Sequence, residues 1–167
     1  RERGFLEAAA ALFTDAATEI IYPLLPLYLT TVLGAGPGSL GVIEGIAEGV
    51  NSALKLGAGR LADRRSRRKP ITIAGYSLSS VARPFIALAT ACQQVLFIRV
   101  IDRTGKGIRG APRDAMLAHY ATETTRGGVF GFHRAMDHTG AVIGPLIATA
   151  CLFFWPGEYR MLFAVTA

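Results

Sequence analysis

The chain has 167 residues, a formal net charge of +6, a mean hydropathy of +0.36 and 51% hydrophobic residues. A soluble chain this basic would point to nucleic acid. One this apolar points instead to a bilayer, with its positive charge on the loops of one side, and the basic residues here do sit between apolar segments. The chain starts at Arg1 and stops inside the apolar run MLFAVTA, so we expect a fragment of a longer polypeptide, and no apolar stretch followed by a small-residue cleavage site suggests a signal peptide.

A helix needs about 20 apolar residues to cross a hydrocarbon core of about 30 Å. Such segments are predicted at approximately 5–33, 40–62, 71–91, 95–120 and 129–155, with a sixth starting at 159 and cut off. The links carry turn chemistry: GAGPGS after the first, CQQ after the third and PGE after the fifth. They are too short to be domains. The expectation is an all-α fold, a polytopic transmembrane helical bundle forming one domain over 1–167.

In the first segment, Asp15, Glu19 and Tyr22 recur at i, i+4 and i+7, just before Pro23 and Pro26. In the second, Glu44, Glu48, Ser52 and Lys55 share a face with Asn51 beside them. Gly41, Gly45 and Gly49 form a small-residue ridge suited to close helix packing. The link that follows, RLADRRSRRKP, holds six basic residues, whereas the links after the first and third segments hold none. That asymmetry places the N-terminus and the even-numbered loops in the cytoplasm. The third segment carries Arg83.

The fourth contains DRTGKGIRGAPRDAM, whose GKG invites a phosphate-loop reading. A phosphate loop needs a glycine where Val100 stands and a hydroxyl where Gly107 stands, so the motif fails twice. At 100° per residue, Arg99, Asp102, Arg103, Lys106, Arg109, Arg113 and Asp114 instead fall within an arc of about 140°. Val100, Ile101, Ile108, Ala111 and Ala115 fill the opposite side. The stretch is therefore one charged face of a transmembrane helix, with Pro112 bending its cytoplasmic end.

The fifth segment carries Arg134 and Asp137, and His133 and Asp137 form an i,i+4 pair that by itself makes no metal site. Cys92 and Cys151 lie in apolar surroundings without metal-ligand spacing and read as packing residues. No cofactor is implied.

Charges within a span are costly and mark substrate and ion pathways or internal ion pairs. Counted along the helices, Asp15, Glu48 and Arg103 each lie roughly 12–15 Å deep, near the midplane. Desolvation favours the neutral form of a carboxylate, and a nearby arginine favours its charged form. Relative movement of the two would load or release a proton. Asp15 or Glu19 is expected as the carrier, with Arg103 or Arg99 tuning it or holding an anionic group of a solute. A structural Asp15–Arg103 pair is the competing account.

GRLADRRSRRK (59–69) resembles the loop signature of the major facilitator superfamily, with Gly59, Leu61, Asp63, Arg64, Arg67, Arg68 and Lys69 matching and Ser66 in place of the usual glycine. RTGKGIRGA is similar to the family's fourth-helix signature. GAVIGP, with Gly140, Gly144 and Pro145, is similar to its fifth-helix element, although Ala148 and Thr149 stand where a glycine pair usually follows. The resemblance implies the N-terminal six-helix half of an alternating-access transporter. The loop aspartate Asp63 would pair with Arg113 or Arg109 to hold the cytoplasmic side closed. The expected function is secondary transport of a small solute, proton-coupled and favouring efflux, with no enzymatic activity. The expected partners are the lipid bilayer, a small-molecule substrate, protons and the C-terminal half, and no nucleic acid. A non-transporting receptor or scaffold, and a metal-ion or anionic-solute permease, are the alternatives.

Overall fold

The computed structural model describes the backbone of residues 19–65 and 68–165 and, within these, every side chain except those of 61–65, 119, 120 and 165. Among these residues six helices follow one another: α1 (Glu19–Val32), α2 (Pro37–Arg65), α3 (Arg68–Ala82), α4 (Cys92–Tyr120), α5 (Arg126–Phe154) and α6 (Tyr159–Val165). Asp15 and the rest of the first 18 residues lie outside the described set. Among the described residues there is no strand.

Pro23 and Pro26 remove two backbone donors from α1, yet the helix runs on and widens into a π turn over Tyr28–Val32. The Thr30 and Thr31 hydroxyls donate to the carbonyls of Pro26 and Leu27, at 2.9 and 2.6 Å. Gly34 ends the helix at φ 63°, a left-handed conformation, and the Ala35 N–H returns to the Leu29 carbonyl at 2.8 Å.

Helix bounds differ from the sequence expectation at three links. α2 starts at Pro37 rather than 40, because proline suits the first helical turn, where its missing N–H would be unpaired anyway. Its C-terminus continues to Arg65, as cations at a helix C-terminus favour, and α3 starts at Arg68, so the described residues of the basic link are helical. The CQQ stretch is the first turn of α4 rather than a link. The break comes earlier, where Pro84 tightens the end of α3 into a 3-10 segment over Arg83–Leu88. α4 and α5 remain helical through Pro112 and Pro145.

α4 packs along α2 on one side and α3 on the other, α6 packs on the 3-10 segment, and α5 touches its neighbours more sparsely. The apolar core lies at one end of the bundle. Ile21, Leu24, Leu25 and Leu29 of α1 meet Ile43, Ile86, Val95, Ala148 and Phe163 there. Tyr28 stands edge-on to Phe163 at 5.2 Å and donates its hydroxyl to the Ala89 carbonyl at 2.6 Å, satisfying a group that the broken helix leaves without an intrahelical partner.

Exposure is inverted relative to a water-soluble protein. Phe153, Leu88 and Leu56 are 80%, 71% and 70% exposed, whereas Arg83, Arg99, Arg103 and Arg109 are the four largest fully buried side chains. Arg68–Leu88 and Arg126–Phe154 are long and apolar enough by themselves to cross a bilayer. α2 and α4 have 29 residues each, about 43 Å of helix, and Glu44 of α2 pairs with Arg99 of α4 between them.

Candidate functional site

The charged face of α4 divides between two neighbours. Toward α3, the Asp102 carboxylate accepts from Arg83 Nε at 3.1 Å and faces Arg99 Nη1 at 3.5 Å. One turn and more further along, Arg109 Nη1 donates to Ser79 Oγ at 2.9 Å and its guanidinium lies 4.5 Å from the centre of the Tyr76 ring. Ser79 in turn donates to the Asp102 carbonyl at 3.0 Å. Toward α2, Arg99 places Nε and Nη2 on Glu44 Oε1 at 2.8 and 2.6 Å. Arg103 lies 3.7 Å from Glu44 and 3.8 Å from Glu48, and Asn51 donates to Glu48 at 2.7 Å. Tyr22 of α1 covers both guanidiniums, at 5.3 Å from Arg99 and 4.9 Å from Arg103.

These bonds require close helix approach, which the glycines of α4 permit. A Cβ on Gly105 would lie 2.5 Å from Ser79 Oγ and 2.6 Å from the Gly75 carbonyl, and one on Gly107 would lie 2.7 Å from the Asn51 carbonyl. The Gly41, Gly45 and Gly49 ridge of α2 behaves otherwise. All three are exposed with nothing within 4 Å, so the ridge packs on none of the described helices.

Below the ion-pair layer, a cavity of about 250 Å³ opens between α1, α2, α4 and α5. Five cations line it: Lys55, Lys106, Arg109, Arg113 and Arg134. Three acids join them, Glu19, Asp114 and Asp137. Arg113 lies 3.7 Å from both Asp114 and Asp137, the second pair tying α4 to α5, and Asp137 is also 3.3 Å from His133 Nδ1 within α5. Glu19 is close enough to Arg103 to interact with it electrostatically.

The structure thus brings together Glu19, Lys106, Arg109, Arg113 and Asp137 at the cavity, and Glu44, Glu48, Arg99 and Arg103 in the layer above it. Arg99 and Arg103 are buried away from the cavity wall. Of the loop motif, Gly59 packs at Ala111, its Cβ position 3.4 Å away, Lys69 is exposed, and Arg68 Nη1 donates to the Ala115 carbonyl at 3.3 Å. Asp63, Arg64 and Arg67 have side chains outside the described set, so the expected Asp63 contact falls there too. Gly140 and Gly144 are buried on α5, and the Pro145 carbonyl accepts from Thr149 at 2.8 Å. Tyr76, Ser79 and Arg83 were not singled out together from the sequence. Their i, i+3 and i+7 spacing puts them on one face and could have found them.

A helical bundle with an apolar exterior and buried arginines is a multi-pass membrane protein. A family model described as Major Facilitator Superfamily matches residues 8–167, and the chain belongs to that family. It is 37% identical over 156 residues to an uncharacterised protein of Mycobacterium tuberculosis, covering 93% of this chain and 37% of that protein. It is 29% identical over 163 residues to an uncharacterised MFS-type transporter of Methanocaldococcus jannaschii, covering 98% of this chain and 40% of the relative. It is 28% identical over 130 residues to the multidrug resistance protein MdtH of Photorhabdus laumondii, covering 78% and 32%. The chain therefore spans well under half the length of the relatives it matches.

Proposed function

We propose that this chain forms the N-terminal half of a secondary active transporter that moves a small solute by alternating access, coupled to protons and favouring efflux. The observation that carries the reading is a charged cavity enclosed by helices whose outer faces are apolar. The relative named for multidrug resistance supports the direction. The exposed glycine ridge of α2 offers the remainder of the protein a close-packing surface. Glu19, at the cavity and within reach of Arg103, suits a proton carrier, and Asp15, four residues earlier in the sequence, stays a candidate.

The test uses the full-length protein in liposomes loaded with a pH-sensitive dye and challenged with a solute panel. At least one solute is expected to drive proton flux. Glu19→Gln or Asp15→Asn should abolish accumulation driven by a pH gradient while solute exchange persists. Full gradient-driven accumulation in both single variants and in the double variant sinks the coupling scheme.

The loop charges support a cytoplasmic N-terminus, 60–70 link and α4–α5 turn. In a background of Cys92→Ser and Cys151→Ser, Thr125→Cys should be shielded from an impermeant thiol reagent in intact cells and Pro37→Cys labelled. The reverse pattern overturns the orientation. The proposed Asp63 gate with Arg113 or Arg109 is read by the same reagent. Asp63→Asn should change the ratio of inner to outer labelling at cavity positions, and an unchanged ratio leaves no gate.

A further inference from the structure

We infer that the cavity between α1, α2, α4 and α5 takes a small soluble organic anion, held between Lys55 and Arg134. This identifies the substrate class of the site proposed above and rests on that reading.

The charge balance comes first. Among the described residues, the five cations and three acids at the wall leave an excess of two positive charges. The excess is also localised. Asp114 and Asp137 both sit within ion-pair range of Arg113, and Arg109 turns its guanidinium onto Tyr76 and Ser79 of α3. Lys55, Lys106 and Arg134 line three walls and Glu19, which also faces Arg103, lines a fourth. Among the described residues, Lys55 and Arg134 make no ion pair, and both are exposed. They stand on α2 and α5, two walls of the cavity, with Asn51 one turn before Lys55 as a neutral donor.

Low-dielectric walls concentrate the field of such a set, raising the local concentration of anions. A carboxylate or phosphate group fits this chemistry. Arg134 offers a planar two-pronged donor and Lys55 a point charge on a flexible stem, so a solute bearing one anionic group could engage either and a dianion could bridge both. A cationic solute would meet the same excess as repulsion and would have Glu19 as its main counter-ion.

The test is calorimetric binding to the full-length protein in nanodiscs of neutral phosphatidylcholine, with a panel of small carboxylates, phosphate esters and sulfonates set against tetraphenylphosphonium and glucose. At least one anion is expected to bind, more weakly as salt rises. Lys55→Gln and Arg134→Gln should each weaken it at least tenfold, while Lys55→Arg retains most of it. A thermal melt confirms that each variant is folded. Binding of tetraphenylphosphonium or glucose with every anion silent overturns the inference, as does anion binding indifferent to both glutamine variants or no binding at all. Anion-dependent stabilisation seen only when phosphatidylglycerol is in the disc makes a lipid headgroup the occupant and equally overturns it. The two readings fail separately: anion binding without flux sinks the transporter, and flux of a neutral or cationic solute without anion binding sinks the anion site.

Discussion

Asp102→Asn in the full-length protein should destabilise it by about 3–5 kcal/mol, the cost of removing one partner from a buried charge pair. Asp102 serves two guanidiniums at once, Arg83 at 3.1 Å and Arg99 at 3.5 Å, and none of the three side chains is more than 2% exposed. Asparagine keeps the shape and can still accept a hydrogen bond, but it leaves two buried cations with less compensating charge. Arg99 retains Glu44, whereas Arg83 loses the charge of the carboxylate that its Nε reaches at 3.1 Å. The loss therefore concentrates at the α3–α4 contact. The double variant Arg83→Met with Asp102→Leu removes both charges at similar volume and should recover most of the stability, because neutral packing often equals a buried ion pair. Melting temperature of the purified protein, read for both variants, decides this. A single variant that melts with the wild type would mean the pair contributes nothing; a double variant no better than the single would mean shape, not charge, holds the contact.

Gly105→Ala should be nearly as damaging, through sterics alone. The added Cβ would lie 2.5 Å from Ser79 Oγ, 2.6 Å from the Gly75 carbonyl and 3.0 Å from the Ser79 nitrogen. Two of those three atoms belong to backbone, so relief requires α3 and α4 to separate. Overpacking of this kind costs about 1–3 kcal/mol. Separation also stretches the Ser79–Asp102 and Arg109–Ser79 hydrogen bonds, each contributing about 1 kcal/mol. Gly127→Ala is the control, since nothing lies within 4 Å of its Cβ position at the start of α5. It should stay within about 0.5 kcal/mol of wild type, as surface changes usually do. Equal melting temperatures for the two alanine variants would falsify the close-contact account.

What could be read without a structure was whatever depends on local spacing. Helical periodicity alone collected seven charges of α4 on one arc and opposed them with Ile101 and Ile108, and the structure buries Arg99, Asp102, Arg103 and Arg109 accordingly. The loop motif at 59–69 and the fourth-helix RTGKG, in that order, carried the family. Element ends were less legible, because Pro37 and Pro84 act through the turn of helix around them, and the same residue can start a helix or break one.

Partnership was not legible. An arc of about 140° is wide enough to face two helices, so periodicity could not say that Asp102 and Arg109 turn to α3 while Arg99 and Arg103 turn to α2. That choice depends on how closely each pair of helices approaches, which Gly75 and Gly105 set for one pair and Gly107 for the other. The Gly41, Gly45 and Gly49 ridge makes the complementary point. Its pattern is as clear in the sequence as that of α4, yet it touches no described helix, because a packing motif specifies a surface and only a second surface makes a contact. The same holds for the cavity. The sequence by itself determined which residues are charged and how they repeat along each helix, while tertiary structure decided which charges neutralise one another, as Arg113 and Asp137 do, and which, as Lys55 and Arg134, line one cavity from different helices.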